Sequence, residues 1–334
     1  MRHMEYKDGT LVVQVTPEMK EESDILAAKR RHDVQGAMLH AWSNYETFAM
    51  GKDELLPMSR GGRDNWGGMA MTLVDSLDTL WMMDMKQQFY EARDWVRDHL
   101  DYSNVHDEVS TFETTIRNLG GMLSAYELSR DDIFLSKAEE LGSRLLRSAM
   151  SYTKGNTIPK TRVFLNEDDA QREIKKYSAY DDGYDVEFEA AQKTGSLDGA
   201  DDKSGGNKKR DEAFDDKYSG VDDAFSIGSF NPTNIAELAT LQLEFRYLSK
   251  VSGDDRYGKA AMLPFDKLAA SQPEDGLFPV SLSEGFENEK FSLYGKISFG
   301  SMGDSAYEYM LKLWLQSGKT EDKYRRMYDR GEFP

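Results

Sequence analysis

Acidic side chains recur in this sequence at spacings that would put them on common helix faces. In Ser110–Ser129, STFETTIRNLGGMLSAYELS, Glu113 and Arg117 stand four residues apart. On a surface such a pair only stabilises its helix, by about 0.2–0.5 kcal/mol. Inside a cavity the guanidinium would set the ionisation of the carboxyl. In Met71–Met83, MTLVDSLDTLWMM, Asp75 and Asp78 lie three apart among leucines and a tryptophan. This predicts buried aspartates that cap, pair or line a pocket. Asn234–Ser249 embeds Glu237 and Glu244 in apolar text, with Arg246 as a local partner and Glu237 near enough to the helix start for the dipole to explain it. In Gly300–Met310, GSMGDSAYEYM, a glycine-bounded turn precedes Asp304 and, one turn later, Glu308 beside tyrosines.

Taken singly, each acid reads as structural. Taken together, Asp75, Glu113, Glu237, Asp304 and Glu308 fall early on the first helix of successive hairpins, which would gather them at one end of a toroid. Glycoside hydrolysis requires convergent carboxylates: one to protonate the leaving oxygen and one to activate water, about 6.5–9.5 Å apart when the configuration inverts. Other chemistries lack their patterns. The five histidines show no HExxH spacing, no phosphate-binding P-loop is present, and GGRDNWGG does not read as a dinucleotide fingerprint. The aspartate pairs of the middle region lack the alternation of a calcium-binding EF-hand.

The elements that must position these acids read as helices. Val34, Met38, Ala41, Trp42, Tyr45 and Phe48 recur every three or four residues from about Lys29 onward. Further stripes span Met69–Met83 with Phe89–Leu100, Phe112–Leu128 with Ile133–Met150, Asn231–Val251 with Tyr257–Ala270, and Ser305–Gln316 with Glu321–Tyr328. Asn231-Pro232-Thr233 reads as the cap and N-terminal proline of the third pair. Residues 1–27 read as an extended arm, and 28–330 as the helical domain. The run 167–228, rich in Asp, Lys, Gly and Ser, reads as a partly disordered surface insertion. The chain is therefore all-α, with almost no two-residue alternation. A bundle, a solenoid or an α/α toroid fits. The mixed aromatic and acidic residues on the first helix of each pair favour the toroid, whose inner helices face a polar cavity.

The chain is long enough for a sizeable core, with 334 residues of which 39% are hydrophobic. Its net charge of −18 argues against nucleic-acid and anionic-membrane surfaces. Cysteine is absent, which excludes thiolate chemistry and disulfides within these residues. No apolar run approaches the roughly 20 residues of a membrane span.

Six segments in order, HAWSNYETFAMGKDEL, TLVDSLDTLWMM, FETTIRNLGGMLSAYELS, AELATLQLEFRYLSKVSGD, DGLFPV and GDSAYEYMLKLWLQSGKT, resemble the class I α-1,2-mannosidases, glycoside hydrolase family 47. The resemblance covers about residues 30–328. It implies an (α/α)7 barrel, here about four of seven hairpins, that removes α-1,2-linked mannose from high-mannose N-glycans with inversion. It also implies a calcium ion whose ligand lies beyond Pro334, and a setting in the endoplasmic reticulum or Golgi lumen. By motif, Glu113 matches the general acid, Asp304 a second catalytic carboxylate and Arg117 a cavity arginine. Glu237 and Glu308 match sugar-binding acids, and Asp75 and Asp78 lie in a motif that lines the same cavity. Met302 matches a position where arginine restricts, and an apolar residue relaxes, the choice of glycan branch. The family's third catalytic carboxylate, cavity histidine and disulfide belong to a half outside this sequence. The expectation is thus a truncated chain, inactive alone and monomeric if complete. A mannosidase-like lectin that recognises glycoproteins for degradation without turnover is the alternative.

Overall fold

The computed structural model describes residues 4–7, 10–13, 15–152, 156–178, 233–285 and 290–332. They form two compact units, Met1–Leu100 and Asp101–Pro334.

In the first unit, β1 (Met4–Lys7) pairs antiparallel with β2 (Thr10–Val13), Met4 opposite Val13. Helix α1 (Pro17–Ala49) starts a dozen residues before the apolar spacing predicts. The Thr16 hydroxyl accepts from the Met19 amide at 3.3 Å and Pro17 occupies the first turn, so local capping begins the helix well before burial does. Residues of the expected arm are thus a hairpin and the first turns of this helix. Only towards its end does α1 bury side chains, at Trp42, Tyr45 and Ala49. A short hairpin, β3 (Glu54–Leu56) with β4 (Gly61–Arg63), leads to α2 (Met71–Met82) and α3 (Lys86–His99). These two pack through Leu73, Leu77 and Leu80 against Phe89 and Val96, all fully buried.

In the second unit a short 3-10 turn (Tyr102–Asn104) leads to β5 (Glu108–Ser110) and a single helical run: α4 (Thr111–Glu113), a π-helical stretch (Thr114–Leu119) and α5 (Gly120–Ser129). Three more pieces follow: α6 (Asp132–Ser148), β6 (Arg162–Phe164), paired with β5, and α7 (Glu167–Ser178). Helix α7 occupies the first residues of the expected insertion, and the rest of that insertion, 179–228, lies outside the described residues.

Beyond it the sequence predicts one long helix, and the structure has β7 (Thr233–Asn234), α8 (Ile235–Ala239) and α9 (Gln242–Ser252). The break at Thr240–Leu241 is held by the buried Gln242. Its amide nitrogen donates to the Leu238 and Ala261 carbonyls, and its oxygen accepts from the Leu241 amide. A tertiary network thus replaces the helical ladder. The cap of α8 is Asn234, not the Asn231-Pro232-Thr233 read from sequence.

Helix α10 (Arg256–Ala270) returns against α9, and β8 (Pro279–Glu284) and β9 (Phe291–Ile297) add to β7 in a three-stranded antiparallel sheet. Its signal was alternation: Phe278, Val280 and Leu282 are buried, while Pro279 and Ser281 are less so. Helices α11 (Asp304–Gln316) and α12 (Asp322–Glu332) close the unit over Leu238, Phe265, Leu282, Met310 and Tyr324. The described residues thus hold four helical hairpins, α2–α3, α5–α6, α9–α10 and α11–α12. None of their helices is long and apolar enough to cross a membrane.

Candidate active site

The run from Ser110 to Arg117 is fixed before its side chains are considered. The Thr111 amide donates to the Thr161 carbonyl at 2.9 Å, and its hydroxyl donates to the Lys160 carbonyl at 2.6 Å. Ser110 caps the helix, its hydroxyl accepting from the Glu113 amide at 3.2 Å. In a capping box the Glu113 side chain would fold back on the cap. Here its Oε2 instead accepts from Arg117 Nε at 2.8 Å, with the carboxylate side chain 24% exposed. The π-helical turns begin just after Glu113, contain Arg117 and lead into α5. The Thr115 hydroxyl bonds the Thr111 carbonyl, and the Gly120 amide reaches back five residues to the Thr115 carbonyl. π-Helical geometry is rare, appears mostly as single turns inside α-helices, and is frequent at functional sites.

Helix α8 lies beside α4. The Glu237 amide donates to the Asn234 side chain at 2.9 Å, and the Thr233 hydroxyl donates to Glu237 Oε2 at 3.2 Å. Burial raises the Glu237 carboxyl above its ordinary value, against the hydrogen bonds from Thr233 and Asn234, and the negative field of Glu113 raises it further. Glu113 and Glu237 are therefore electrostatic neighbours. A cavity of about 10 Å³, lined in part by Thr111, Thr233 and Glu237, lies where α4 and α8 meet. It is about the size of one water.

The third acid is delivered by the turn before α11. Gly303 has no room for a side chain, since a Cβ there would come within 2.2 Å of the Ser298 carbonyl oxygen. Met302 holds the left-handed region at φ 76°, unusual for a residue with a side chain. Its carbonyl accepts from the Ala236 amide at 3.1 Å, which ties the turn to the first residues of α8. One residue beyond Asp304, the Ser305 hydroxyl accepts from Thr240 at 2.8 Å. Asp304 itself is exposed at the first position of α11, its Oδ1 accepting from the Ser305 amide. The second unit thus gathers Glu113, Arg117, Glu237, Met302 and Asp304 around the short helix α8.

Other expected residues lie elsewhere. Glu308 is 52% exposed and pairs with Lys312 on its own helix, the ordinary i,i+4 partnership. Asp75 and Asp78 belong to the first unit and are not buried as predicted: Asp75 is exposed and Asp78 half-buried, taking the Thr79 hydroxyl at 3.3 Å. Leu73, Leu77 and Leu80 fill the buried face of α2, and the two aspartates occupy the other.

Two carboxyls that the reading undervalued are more constrained. Asp53, within the DEL segment, is fully buried; its Oδ2 accepts from the Trp66 and Gly68 amides, each at 2.8 Å, and its Oδ1 from the Met71 amide at 3.1 Å. It fixes the glycine-rich loop that leads into α2. Glu244 takes the Tyr309 hydroxyl at 2.6 Å rather than Arg246, which pairs with Glu321. Its place in an apolar helix was the signal; its partner came from a helix 65 residues on.

The helical hairpins are those of an α/α-barrel scaffold. The model of glycosyl hydrolase family 47 matches residues 37–196 and 212–331, and the chain belongs to that family. It is 34% identical over 309 residues to mannosyl-oligosaccharide 1,2-alpha-mannosidase MNS1 of Arabidopsis thaliana, covering 92% of this chain and 45% of that protein. It is 33% identical over 303 residues to the endoplasmic reticulum mannosyl-oligosaccharide 1,2-alpha-mannosidase of Rattus norvegicus, covering 90% and 37%. The chain thus spans less than half the length of these relatives. The solved alpha-1,2-mannosidase from Trichoderma reesei superposes with a TM-score of 0.66 at 22% identity, over 91% of this chain and 54% of that one. That fold is an (α/α)7 barrel, and the four hairpins described here are part of one.

Proposed function

We propose that this chain carries part of the active site of an inverting α-1,2-mannosidase acting on high-mannose N-glycans of glycoproteins in the lumen of the secretory pathway. The observation that carries the reading is the gathering of Glu113, Arg117, Glu237 and Asp304 around α8. Glu113 protonates the glycosidic oxygen as the bond from the anomeric carbon to that oxygen breaks. Its Oε2 is engaged by Arg117, so proton delivery falls to Oε1. Water attacks the anomeric carbon from the opposite face, and Asp304, exposed at its helix start, orients that water and draws off its proton. Glu237, held at a raised pKa by burial, binds sugar hydroxyls, with Arg117 beside it. In this reading Asp75, Asp78 and Glu308 contribute to sugar binding as the family resemblance implies, and the enzyme works as a monomer.

The calcium ion that the resemblance implies would need several oxygen ligands. Among the described residues no group of three or more His, Cys, Asp or Glu side chains could hold a metal ion. No step above uses one.

The test supplies this chain with the remaining part of a family 47 barrel and assays α-1,2-mannobiose. Hydrolysis is expected, and Glu113→Gln should abolish it; an unimpaired Gln variant overturns the assignment. Sugar binding without turnover would instead identify a lectin. Met302 supplies a finer expectation. Its backbone is pinned to α8, its side chain is uncharged, and the completed enzyme should therefore trim several branches of a nine-mannose glycan. Met302→Arg should narrow that range.

A further inference from the structure

Glu244 stands outside the chemistry just described, yet it touches both of the helices that carry it. It lies on α9, where the residue as a whole is half-buried but its carboxyl is not: Oε2 is out of reach of solvent and has no hydrogen-bond partner. Oε1 accepts a hydrogen bond from the Tyr309 hydroxyl at 2.6 Å. Tyr309 is buried on α11, five residues after Asp304. On the other side is Gly120, the residue whose amide closes the π-helical turn onto the Thr115 carbonyl. A Cβ built on Gly120 would sit 3.7 Å from Glu244 Cγ and 3.9 Å from its Oε1, so the acid lies directly beside this glycine, at the range of ordinary van der Waals contact with a methyl there. The π-helical stretch ahead of Gly120 holds Arg117, and Glu113 immediately precedes it.

A carboxylate in this position would be poorly served. Buried anions ordinarily collect several good donors or a paired cation, and this one has a single side-chain donor, the Tyr309 phenol, with its Oε2 left without a partner. The charged and titratable groups that face it are Tyr309 and Lys312, both from α11; the helix on its other side presents the backbone of Gly120. Burial pushes the Glu244 carboxyl up to about 7, against the lowering effects of the Tyr309 hydrogen bond, of its own main-chain amide and of the Lys312 charge. The Tyr309 hydroxyl is raised too, by its own burial and by the negative field of Glu244.

We propose that Glu244 is a positioning residue, a buried acid set between Gly120 and Tyr309 that locks the helical run bearing Glu113 and Arg117 to the helix bearing Asp304. Its consequence for hydrolysis rests on the reading of Glu113 and Asp304 given above. The lock itself does not, and it is tested without turnover.

The test compares the chain with its Glu244→Gln and Glu244→Ala variants in urea unfolding across pH, and in amide hydrogen exchange. A folded-state value above the unfolded one means that the folded protein keeps a proton the unfolded chain has lost, so the contribution is present below about pH 4.5 and is lost as pH rises towards 7. The Gln variant carries the same shape without the charge. It should match the wild type near pH 4.5 and exceed it near pH 8, by on the order of a hundredfold in the unfolding equilibrium constant, the size that the displacement from 4.5 to about 7 implies. Parallel profiles, or a Gln variant less stable near pH 8, overturn the proposal. In exchange, Ala should lose protection in both residues 114–120 and residues 304–310 while Gln retains it. Loosening confined to α9 overturns the lock. Glu113→Gln serves as the separate control: it removes hydrolysis in the completed enzyme while leaving the exchange protection of residues 304–310, and the difference that Glu244→Gln makes near pH 8, in place, so a failure of the catalytic reading and a failure of the lock are distinguishable.

Discussion

Each of the two units holds a buried carboxyl, and the two are built in opposite ways. Asp53 in the first unit is surrounded by main-chain donors: three amides point at its two oxygens. Glu244 in the second unit has one phenol and an empty second oxygen. The first arrangement uses a negative charge as a structural part, because a carboxylate that accepts several backbone hydrogen bonds recovers much of what it loses on leaving water. The second leaves the acid under-served and pushes it towards its neutral form. A buried acid that organises a loop and one that can change protonation near neutrality therefore differ in donor count rather than in depth.

The largest effect that sharpens this contrast is expected at Asp53. An asparagine there keeps the volume but replaces one acceptor by a donor, facing the Trp66 and Gly68 amides or the Met71 amide whichever way it turns. Even the better orientation, with the new amide nitrogen towards Met71, leaves one buried amide unsatisfied, which costs about 2 kcal/mol. Asp53→Asn should lower the urea midpoint by a matching amount across neutral pH, while Glu244→Gln raises it. If both substitutions moved the midpoint the same way, donor count would not be the distinction.

A smaller effect is expected at Glu237, which stands between the two cases. It has a side-chain donor, Thr233, and a nearby negative neighbour, Glu113. Its carboxyl is raised, so the folded state keeps a proton that the unfolded chain loses near the ordinary value. Stability from this group is thus full at low pH and is lost as pH rises through the raised value. Glu237→Gln should flatten that slope, with a change of about 1 kcal/mol or less, because the Thr233 hydroxyl can still donate to an amide oxygen. Glu113→Gln should lower the Glu237 value as followed by carbon NMR of the carboxyl, since it removes a negative neighbour. An unchanged Glu237 titration would mean that the two acids are not coupled.

Much of this was legible in the sequence where the signal was local. The hairpins were found from three- and four-residue spacing, and the Glu113–Arg117 pair from its separation. Glu237 and Asp304 were found because each falls in a first helical turn. The remainder depended on distant residues. The break between α8 and α9 is made by Gln242 reaching Ala261, and nothing in LATLQLEF announces it. The Glu244 partner is on α11 and the Arg246 partner precedes α12, so the nearest opposite charge in sequence was the wrong guide. The β8–β9 hairpin was missed because its alternation is short and includes serine and proline. The early start of α1 was missed because a helix held by its cap and its own ladder, with little buried, carries no apolar stripe.

The smallest expected effect concerns the aspartates of α2, and it is the sharpest check on what their motif means. Asp75 and Asp78 share the apolar wording of a core helix, yet one is exposed and the other half-buried on the face opposite Leu73, Leu77 and Leu80. Burial does not account for them. Asp75→Asn keeps the side chain's size at an exposed helical position, so the urea midpoint of the chain should change by about 0.5 kcal/mol or less. If the aspartate is nevertheless used, the loss should appear only when sugar is present, as weaker mannoside binding or a raised KM in the completed enzyme. A stability loss approaching that of Asp53→Asn would instead make Asp75 a structural acid of the Asp53 kind, and would remove the reason to count it among the residues that meet the glycan.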